Sequence, residues 1–306
     1  MAILLPRRRA RLLLPLLLSW ISLGADGDAP ARFRTTVSEV QLSFSALDQN
    51  NHGVATLQAS DFAVVDQSYI VRNFQSFTRS DWTKLELAIL LDASASATPH
   101  FRQEVAGILD LVSHTAGIPD ENVSLFSFQG QRPTLLCSGD CRATNAATIR
   151  LASAQSAGLT PLYDSIVFAA DFLVQHGDSH AQKVLIVFSD GEDTISRYSL
   201  TDAIDAALSG NVQIYGIDLN HAACPGPGAA TLNRLAGATG GRYFPPQGGA
   251  TRALNVILEG FRATYIVGYK LPTHVSGFHV VRIFPTHNLN LEFHCRSGYY
   301  YPNRVR

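Results

Sequence analysis

The chain has 306 residues, of which 46% are hydrophobic and 16% are charged, and its formal net charge is −1 at pH 7. This balance of apolar and charged residues excludes an intrinsically disordered chain. The near-neutral charge also argues against a nucleic-acid-binding protein, which needs a basic surface, and the length is sufficient for two modest domains or one large one.

The start of the chain has the layout of a secretory signal peptide over positions 1–25. Four arginines between positions 7 and 11 precede a leucine-rich stretch from Leu12 to Leu23, and the small residues Gly24 and Ala25 follow it. The apolar stretch is shorter than the ~20 residues of a membrane span. Cleavage near Ala25 would remove four arginines and no acid, which changes the formal charge from −1 to −5. We therefore expect an extracytoplasmic protein, secreted, periplasmic or on the cell surface, without a membrane span after cleavage; a retained N-terminal anchor is the alternative.

Short alternating runs of apolar and polar residues follow in the segment 33–81. They include Val37–Ser45 and Phe62–Asp66, and this period of two is typical of antiparallel strands. The segment 262–303 contains similar runs, among them Tyr265–Tyr269. Because neither segment has enough strands to close a domain, we predict that the two pack together as one β-sandwich-like module. Two small independent β extensions are the alternative.

Between these segments, residues 84–261 alternate strand and helix patterns, which indicates a doubly wound α/β domain with a mainly parallel sheet. The strand candidates are nearly continuous apolar runs, as in strands covered by helices on both faces: Leu85–Leu91, Val123–Phe128, Lys183–Phe188 and Val212–Leu219. The helix candidates carry apolar residues on one face: 98–112, 143–155, Leu162–His176, Thr231–Thr239 and Ala250–Arg262. We therefore predict an α/β domain that is inserted in, or flanked by, the β-sandwich-like module.

Small oxygen-bearing side chains lie where predicted strands end or a predicted helix begins: Asp92, Ser94, Ser96, Thr160 and Asp190. The carboxyl ends of parallel strands form the edge at which open sheets of this kind place their ligands. Carboxylates and hydroxyls that converge there suit a hard cation. The sequence therefore predicts a cation site at this edge of the sheet.

The fragment Asp92-Ala93-Ser94-Ala95-Ser96, with a distant Thr160 and a distant Asp190, resembles the metal-ion-dependent adhesion site of von Willebrand factor A-type (VWA) domains. The resemblance implies a Rossmann-like fold and one Mg²⁺, with Mn²⁺ as a substitute, surrounded by these five polar side chains. It also implies a protein partner that presents an Asp or Glu carboxylate. The order of segments is similar to that of exported bacterial VWA-domain proteins with flanking β segments.

Two further hypotheses compete with the binding module. A hydrolase could use the cation to activate water, with Glu192 or Asp193 as the general base, and a structural metal-binding domain would have no partner. The sequence contains no phosphate-binding loop and no Gly-x-Ser-x-Gly nucleophile elbow, so we expect a protein that is not an enzyme. The C-terminal histidines lack metal-ligand spacing, and we expect them to be exposed or in loops: His274, His279, His287 and His294.

The four cysteines are an even number in a chain that we expect to be exported, which favours two disulfides. Cys137 and Cys141 suit a small loop closed across a glycine turn, which leaves Cys224 with Cys295. A zinc site is the alternative, and it is disfavoured because neither Cys224 nor Cys295 has a second cysteine nearby. We therefore predict the pairs Cys137–Cys141 and Cys224–Cys295, or four unpaired thiols if the chain is not exported.

Overall fold

The computed structural model describes residues 39–50, 52–80, 85–94, 120–130, 132–139, 141, 159–178, 181–220, 226–261 and 263–302. Ser96, Cys224, the predicted signal peptide and the helix candidates 98–112 and 143–155 lie outside these residues. Within these ranges the strands are β1 (Glu39–Leu47), β2 (Phe62–Asp66), β3 (Tyr69–Val71), β4 (Ser76–Arg79), β5 (Leu85–Asp92), β6 (Val123–Gln129), β7 (Arg132–Ser138), β8 (Gln182–Ser189), β9 (Val212–Asp218), β10 (Tyr243–Phe244), β11 (Thr264–Lys270), β12 (Gly277–Pro285), β13 (Glu292–Cys295) and β14 (Gly298–Tyr301). The helices are α1 (Leu162–His176), α2 (Leu200–Ser209), α3 (Ala229–Thr239) and α4 (Ala250–Phe261). In this part of the chain, no helix is long and apolar enough to cross a membrane.

A six-stranded sheet forms the centre of the α/β domain, with the strand order β10-β9-β8-β5-β6-β7. Neighbouring strands run parallel except for β6 and β7, which are antiparallel. Every residue of β5 except Glu86 is buried, because helices cover both faces of the sheet. Leu87 belongs to the same buried cluster as Leu254 of α4 on one face, and Leu90 belongs to the same buried cluster as Ile166 of α1 on the other. The predicted α/β class with a mainly parallel sheet is therefore confirmed.

Two four-stranded antiparallel sheets flank this domain, with the strand orders β13-β1-β11-β4 and β14-β12-β2-β3. Each sheet contains strands from both ends of the chain, because β1 pairs with β11 and β2 pairs with β12. Phe44 of β1, Phe62 of β2 and Tyr265 of β11 belong to one buried core between the sheets. The two ends of the chain therefore form one β module rather than two independent extensions.

Arg296 and Tyr300 connect the β module to the α/β domain. The guanidinium of Arg296 donates one hydrogen bond to the Asn211 side chain, at 2.9 Å, and another to the backbone carbonyl of Gln41 in β1, at 2.8 Å. The Tyr300 hydroxyl donates to the Asp205 carboxylate of α2 at 2.9 Å. These bonds supply a polar contact between the outer sheets and the central domain.

The β module contains a buried carboxylate, Asp66, at the end of β2. The hydroxyls of Tyr269 and Tyr299 both donate hydrogen bonds to its Oδ2 atom, at 2.9 and 2.6 Å. Burying a carboxylate is costly unless hydrogen bonds replace its lost water. The two tyrosine hydroxyls supply that replacement inside an otherwise apolar core.

His279 lies in the same cluster, so the exposed or loop position expected for it is wrong. The alternation along β12 places His279 on the inward face with Val281 and Ile283, and its side chain is 1% exposed. Its Nε2 atom lies 2.7 Å from the Val275 carbonyl oxygen, to which it donates, and its Nδ1 atom lies 3.3 Å from Oδ1 of Asp66. The other C-terminal histidines are exposed or half-buried: His274, His287 and His294.

Cys137 and Cys141 form the predicted disulfide, with their Cα atoms 5.3 Å apart. Cys137 lies on β7, an edge strand that the sequence did not predict. Cys295 forms no disulfide within the described residues, and burial raises the pKa of its thiol to about 11. Because Cys224 lies outside the described residues, the pair Cys224–Cys295 stays a prediction.

Replacing Tyr299 by Phe should destabilise the β module. We expect the free energy of unfolding of Tyr299→Phe to fall by about 1–3 kcal/mol, because the buried Asp66 carboxylate loses one of its hydrogen-bond donors. Chemical denaturation of the full chain measures this change. Tyr301→Phe is the matched control. The Tyr301 hydroxyl is hydrogen-bonded to the exposed His274 ring, so loss of that hydroxyl should have little effect. Equal destabilisation by the two changes would contradict the role assigned to Tyr299.

Candidate metal centre

Asp92 is the last residue of β5, and its side chain is completely buried. Its Oδ1 atom accepts a hydrogen bond from the backbone N–H of Ser94 at 2.9 Å, and its Oδ2 atom accepts one from the Ser189 hydroxyl at 2.6 Å. Ser189 ends β8, the parallel neighbour of β5. The carboxylate is therefore held in one orientation by groups from two adjacent strand ends.

The electrostatic setting of Asp92 disfavours its charge in the absence of a cation. Burial is the main cause that raises the pKa of its carboxyl to about 6, and the charge of Asp190 adds to that effect. Hydrogen bonds from Ser189 and Ser94 oppose the shift. A cation beside Asp92 would remove much of this cost, because an opposite charge stabilises the ionised form.

Thr160 and Asp190 lie at the same edge of the sheet. Asp190 directly follows β8, and Thr160 directly precedes Pro161, the N-cap of α1; both side chains are buried. The backbone N–H of Thr160 donates to Oγ1 of Thr194 at 2.7 Å, and the N–H of Thr194 donates to the Thr160 carbonyl at 2.9 Å. These paired bonds fix the loop after β8 to the loop before α1.

Gly191 allows the chain to turn directly after Asp190. Its φ of +79° lies in the left-handed region, and a Cβ atom there would come within 2.3 Å of the Gly228 carbonyl oxygen. Any other residue would therefore meet both backbone strain and a steric clash. The N–H of Gly191 also donates to the Ser189 hydroxyl at 3.0 Å, which orients that hydroxyl toward Asp92.

Asp193 shapes the loop after β8. Its Oδ1 atom accepts hydrogen bonds from the Ser196 hydroxyl at 2.5 Å and from the backbone N–H of Tyr163, in α1, at 3.3 Å. The side chain of Glu192, the other candidate base of the hydrolase hypothesis, is exposed. Neither arrangement is typical of a general base that is poised beside a buried reaction centre.

The donor set at this edge fits a hard divalent cation. Asp92, Ser94, Thr160 and Asp190 supply two carboxylates and two hydroxyls, and Mg²⁺ prefers such oxygen ligands. No Lys or Arg of the described ranges contributes to the pKa of Asp92, so a cation would be its natural counter-charge. Across the described residues there is no group of three or more His, Cys, Asp or Glu side chains that could hold a metal.

Two residues that position this site, Ser189 and Thr194, were not among the site residues predicted from the sequence. Ser189 is 97 positions from Asp92 along the chain, and Thr194 is 34 positions from Thr160. Both hydroxyls flank the Asp190 fragment, so their chemistry was visible in the sequence. Their partners became visible only once the strands were placed side by side.

Comparison with solved structures finds similar folds at low identity. An aerotolerance-related membrane protein from Bacteroides fragilis is 17% identical, with a TM-score of 0.43, and the match covers 57% of this chain and 98% of that one. BatB from Bacteroides thetaiotaomicron is 16% identical, with a TM-score of 0.44 and coverage of 58% and 98%. Proximal thread matrix protein 1 from the mussel byssus, in a structure whose metal-ion-dependent adhesion site is occupied by zinc, is 17% identical, with a TM-score of 0.41 and coverage of 61% and 47%.

The sequence itself matches a family more directly. No curated protein matches the chain. The family model described as von Willebrand factor type A domain matches residues 86–247, which is more than half of the 306 residues. This range contains the edge of the sheet at which Asp92, Thr160 and Asp190 lie. The chain therefore belongs to the von Willebrand factor type A domain family.

Proposed function

We propose that this chain is an exported binding module that captures an acidic group of a protein partner through a divalent cation, Mg²⁺ with Mn²⁺ as a substitute. Domains of this family are typically cation-dependent binding or adhesion modules. The observation that carries the proposal is the buried Asp92 carboxylate, which two hydrogen bonds hold at the strand end where further hydroxyl and carboxylate oxygens lie. A cation would stabilise this buried carboxylate, whereas the apolar sheet around it makes its charge unfavourable.

The side chains that would hold the cation are Asp92, Ser94, Ser96, Thr160 and Asp190. When bound, Mg²⁺ supplies a coordination position that a carboxylate of the partner can fill. Two of the five side chains carry charge, so the ligand set does not overcompensate the cation. Ser189 and Thr194 keep Asp92 and Thr160 in place before a partner arrives, which lowers the cost of ordering the site on binding.

Export is part of this proposal. The layout of residues 1–25 supports it, and so does the disulfide between Cys137 and Cys141. Disulfides persist in oxidising compartments such as the periplasm or the cell exterior and are rare in the cytosol. An extracytoplasmic location would also give the site access to proteins of other cells or of the surrounding matrix.

The hydrolase hypothesis has no observation in its favour. Asp193 is engaged by Ser196 and Tyr163, and Glu192 is exposed. A structural metal-binding domain without a partner remains the simpler competitor, and the experiments below separate it from the binding module.

Asp92→Ala should abolish Mg²⁺ binding, because it removes a charged ligand from the centre of the site. Isothermal titration of the full chain with Mg²⁺ measures this, and circular dichroism should show an unchanged fold, because Asp92 lies at the edge of the sheet. Glu192→Gln is the matched control, since it neutralises an exposed carboxylate of the same edge. Wild-type protein that takes up no Mg²⁺ at millimolar concentration would refute the proposal, as would equal affinity in Asp92→Ala.

Ser189→Ala tests whether positioning of Asp92 matters. Loss of the 2.6 Å hydrogen bond to Oδ2 should weaken Mg²⁺ binding by about 10–100-fold, as is usual when a group that orients a metal ligand is removed. Ser124→Ala is the control, because its hydroxyl pairs with Ser138 on a neighbouring strand of the same sheet. Titration with Mg²⁺ should separate the two variants; the same affinity in both would mean that Ser189 does not orient the site.

Capture of an acidic group can be tested on an array of paired peptides. One peptide of each pair contains a single Asp or Glu, and the other has Asn or Gln at that position. We expect binding of a subset of the acidic peptides in Mg²⁺, with loss of that binding in chelator and in Asp92→Ala. The amide peptides should not bind, because they lack the charge that the cation attracts. Equal binding of acidic and amide peptides would contradict carboxylate capture. Mg²⁺ uptake without any peptide binding would favour the structural metal-binding domain.

A further inference from the structure

A cavity of about 400 Å³ lies between the α/β domain and the β module, and it is separate from the cation site. The α/β domain contributes Tyr215 of β9, Arg242, and residues of α4 such as Ile257. The β module contributes Leu47 of β1 and Arg79 of β4. Small-molecule sites in proteins occupy roughly 300–1,000 Å³ and occur preferentially where two modules meet. The size and the place of this cavity therefore suit a small ligand.

Part of the cavity wall is apolar. Val256 and Ile257 of α4 line this part, and so do Phe244 of β10 and Leu47 of β1. Side chains of this kind favour a hydrocarbon or aromatic body over water, by roughly 25 cal/mol per Å² of apolar surface that becomes buried. The ligand should therefore carry an apolar body.

The other part of the wall carries positive charge and a tyrosine hydroxyl without a hydrogen bond among the described residues. Arg242 lies over the Phe244 ring, with its guanidinium carbon 5.3 Å from the ring centroid. Tyr215 is only 7% exposed, yet its hydroxyl makes no hydrogen bond within the described part of the chain. Arg242, Tyr215 and His294 all line the cavity. These polar groups therefore face the same cavity as the apolar residues of its wall.

Among the residues that line the cavity, cationic side chains outnumber acidic ones, which favours an anion. Glu259 is the one acid among the described residues that line the cavity, whereas Arg79 and Arg242 are both cationic. Each arginine has contacts of its own, but a guanidinium has five donors and can bind a further anion beside them. The lining histidines have carboxylates of their own, since His52 lies 3.6 Å from Asp48 and His294 lies 3.3 Å from Glu292.

We propose that this cavity binds a small amphipathic organic anion, whose carboxylate contacts Arg242 and the Tyr215 hydroxyl and whose apolar body lies along Val256 and Ile257 of α4. The proposal is independent of the cation site and of the partner that the site captures.

Octanoate is the probe for this site, with 1-octanol and octylamine as probes of the same chain length that carry no charge or a positive charge. Isothermal titration of the full chain in the presence of chelator, which keeps the cation site out of the measurement, should show binding of octanoate. Binding of 1-octanol should be weaker by about tenfold or more, because its hydroxyl carries no negative charge to pair with the Arg242 guanidinium, and octylamine should not bind, because its ammonium group is repelled by that guanidinium.

Arg242→Gln should lower the affinity for octanoate by about tenfold or more, and it should remove the preference for octanoate over 1-octanol. Arg282→Gln is the matched control, because Arg282 is an exposed arginine of β12 that does not line the cavity. It should leave the affinity for octanoate unchanged. An equal loss in both variants would show that only the overall charge of the protein matters, which would overturn the proposal.

Gly260→Leu tests the cavity without altering its charge. Gly260 lines the cavity near the end of α4, and a Cβ atom at this position meets no atom within 4 Å. Leucine is also the better helix former, so the variant should fold, which circular dichroism verifies. The added side chain should occupy the space of the ligand and remove binding of octanoate. No binding of octanoate to the wild type at millimolar concentration, or unchanged binding in both Arg242→Gln and Gly260→Leu, would overturn the proposal.

Discussion

The candidate site depends on the hydrogen bond between the Ser189 hydroxyl and Oδ2 of Asp92, which joins the ends of two adjacent parallel strands. The sheet below this bond is apolar on both faces, so Asp92 is the point at which a buried hydrophobic core meets a polar edge. The N–H of Ser94 satisfies the second carboxylate oxygen. Burial restricts the motion of the carboxylate and raises the free energy of its charged form. A bound cation would offset that cost and would stabilise the loops around it.

A second buried aspartate, Asp66, shows how the same cost is met without a cation. In the β module, Tyr269 and Tyr299 donate to one oxygen of Asp66, and the His279 ring lies beside the other. Side chains in the core of the β module therefore surround Asp66. Asp92 instead accepts hydrogen bonds from two small groups, the Ser94 N–H and the Ser189 hydroxyl, and it lies at the end of a strand. The contrast supports a structural role for Asp66 and a binding role for Asp92.

Much of this architecture could be predicted because each buried strand is a nearly continuous apolar run, as in Leu85–Leu91. The edge strand β7 could not, since Pro133 interrupts it and its residues alternate weakly. The position of His279 could have been predicted from its spacing of two and four from Val281 and Ile283, which places all three on one face. Ser189 could not be assigned its partner, because a contact across 97 residues depends on strand order, and strand order is not encoded in local periodicity.

The central claim is that one divalent cation binds at the carboxyl edge of the central sheet. Anomalous diffraction from crystals grown with Mn²⁺ tests it most directly, because the scattering locates the metal without reference to any activity. The account predicts a single strong anomalous peak among the oxygens of Asp92, Ser94, Ser96, Thr160 and Asp190, and no such peak in crystals of Asp92→Ala. A map without a peak at this edge, or with its peak elsewhere in the chain, would contradict it.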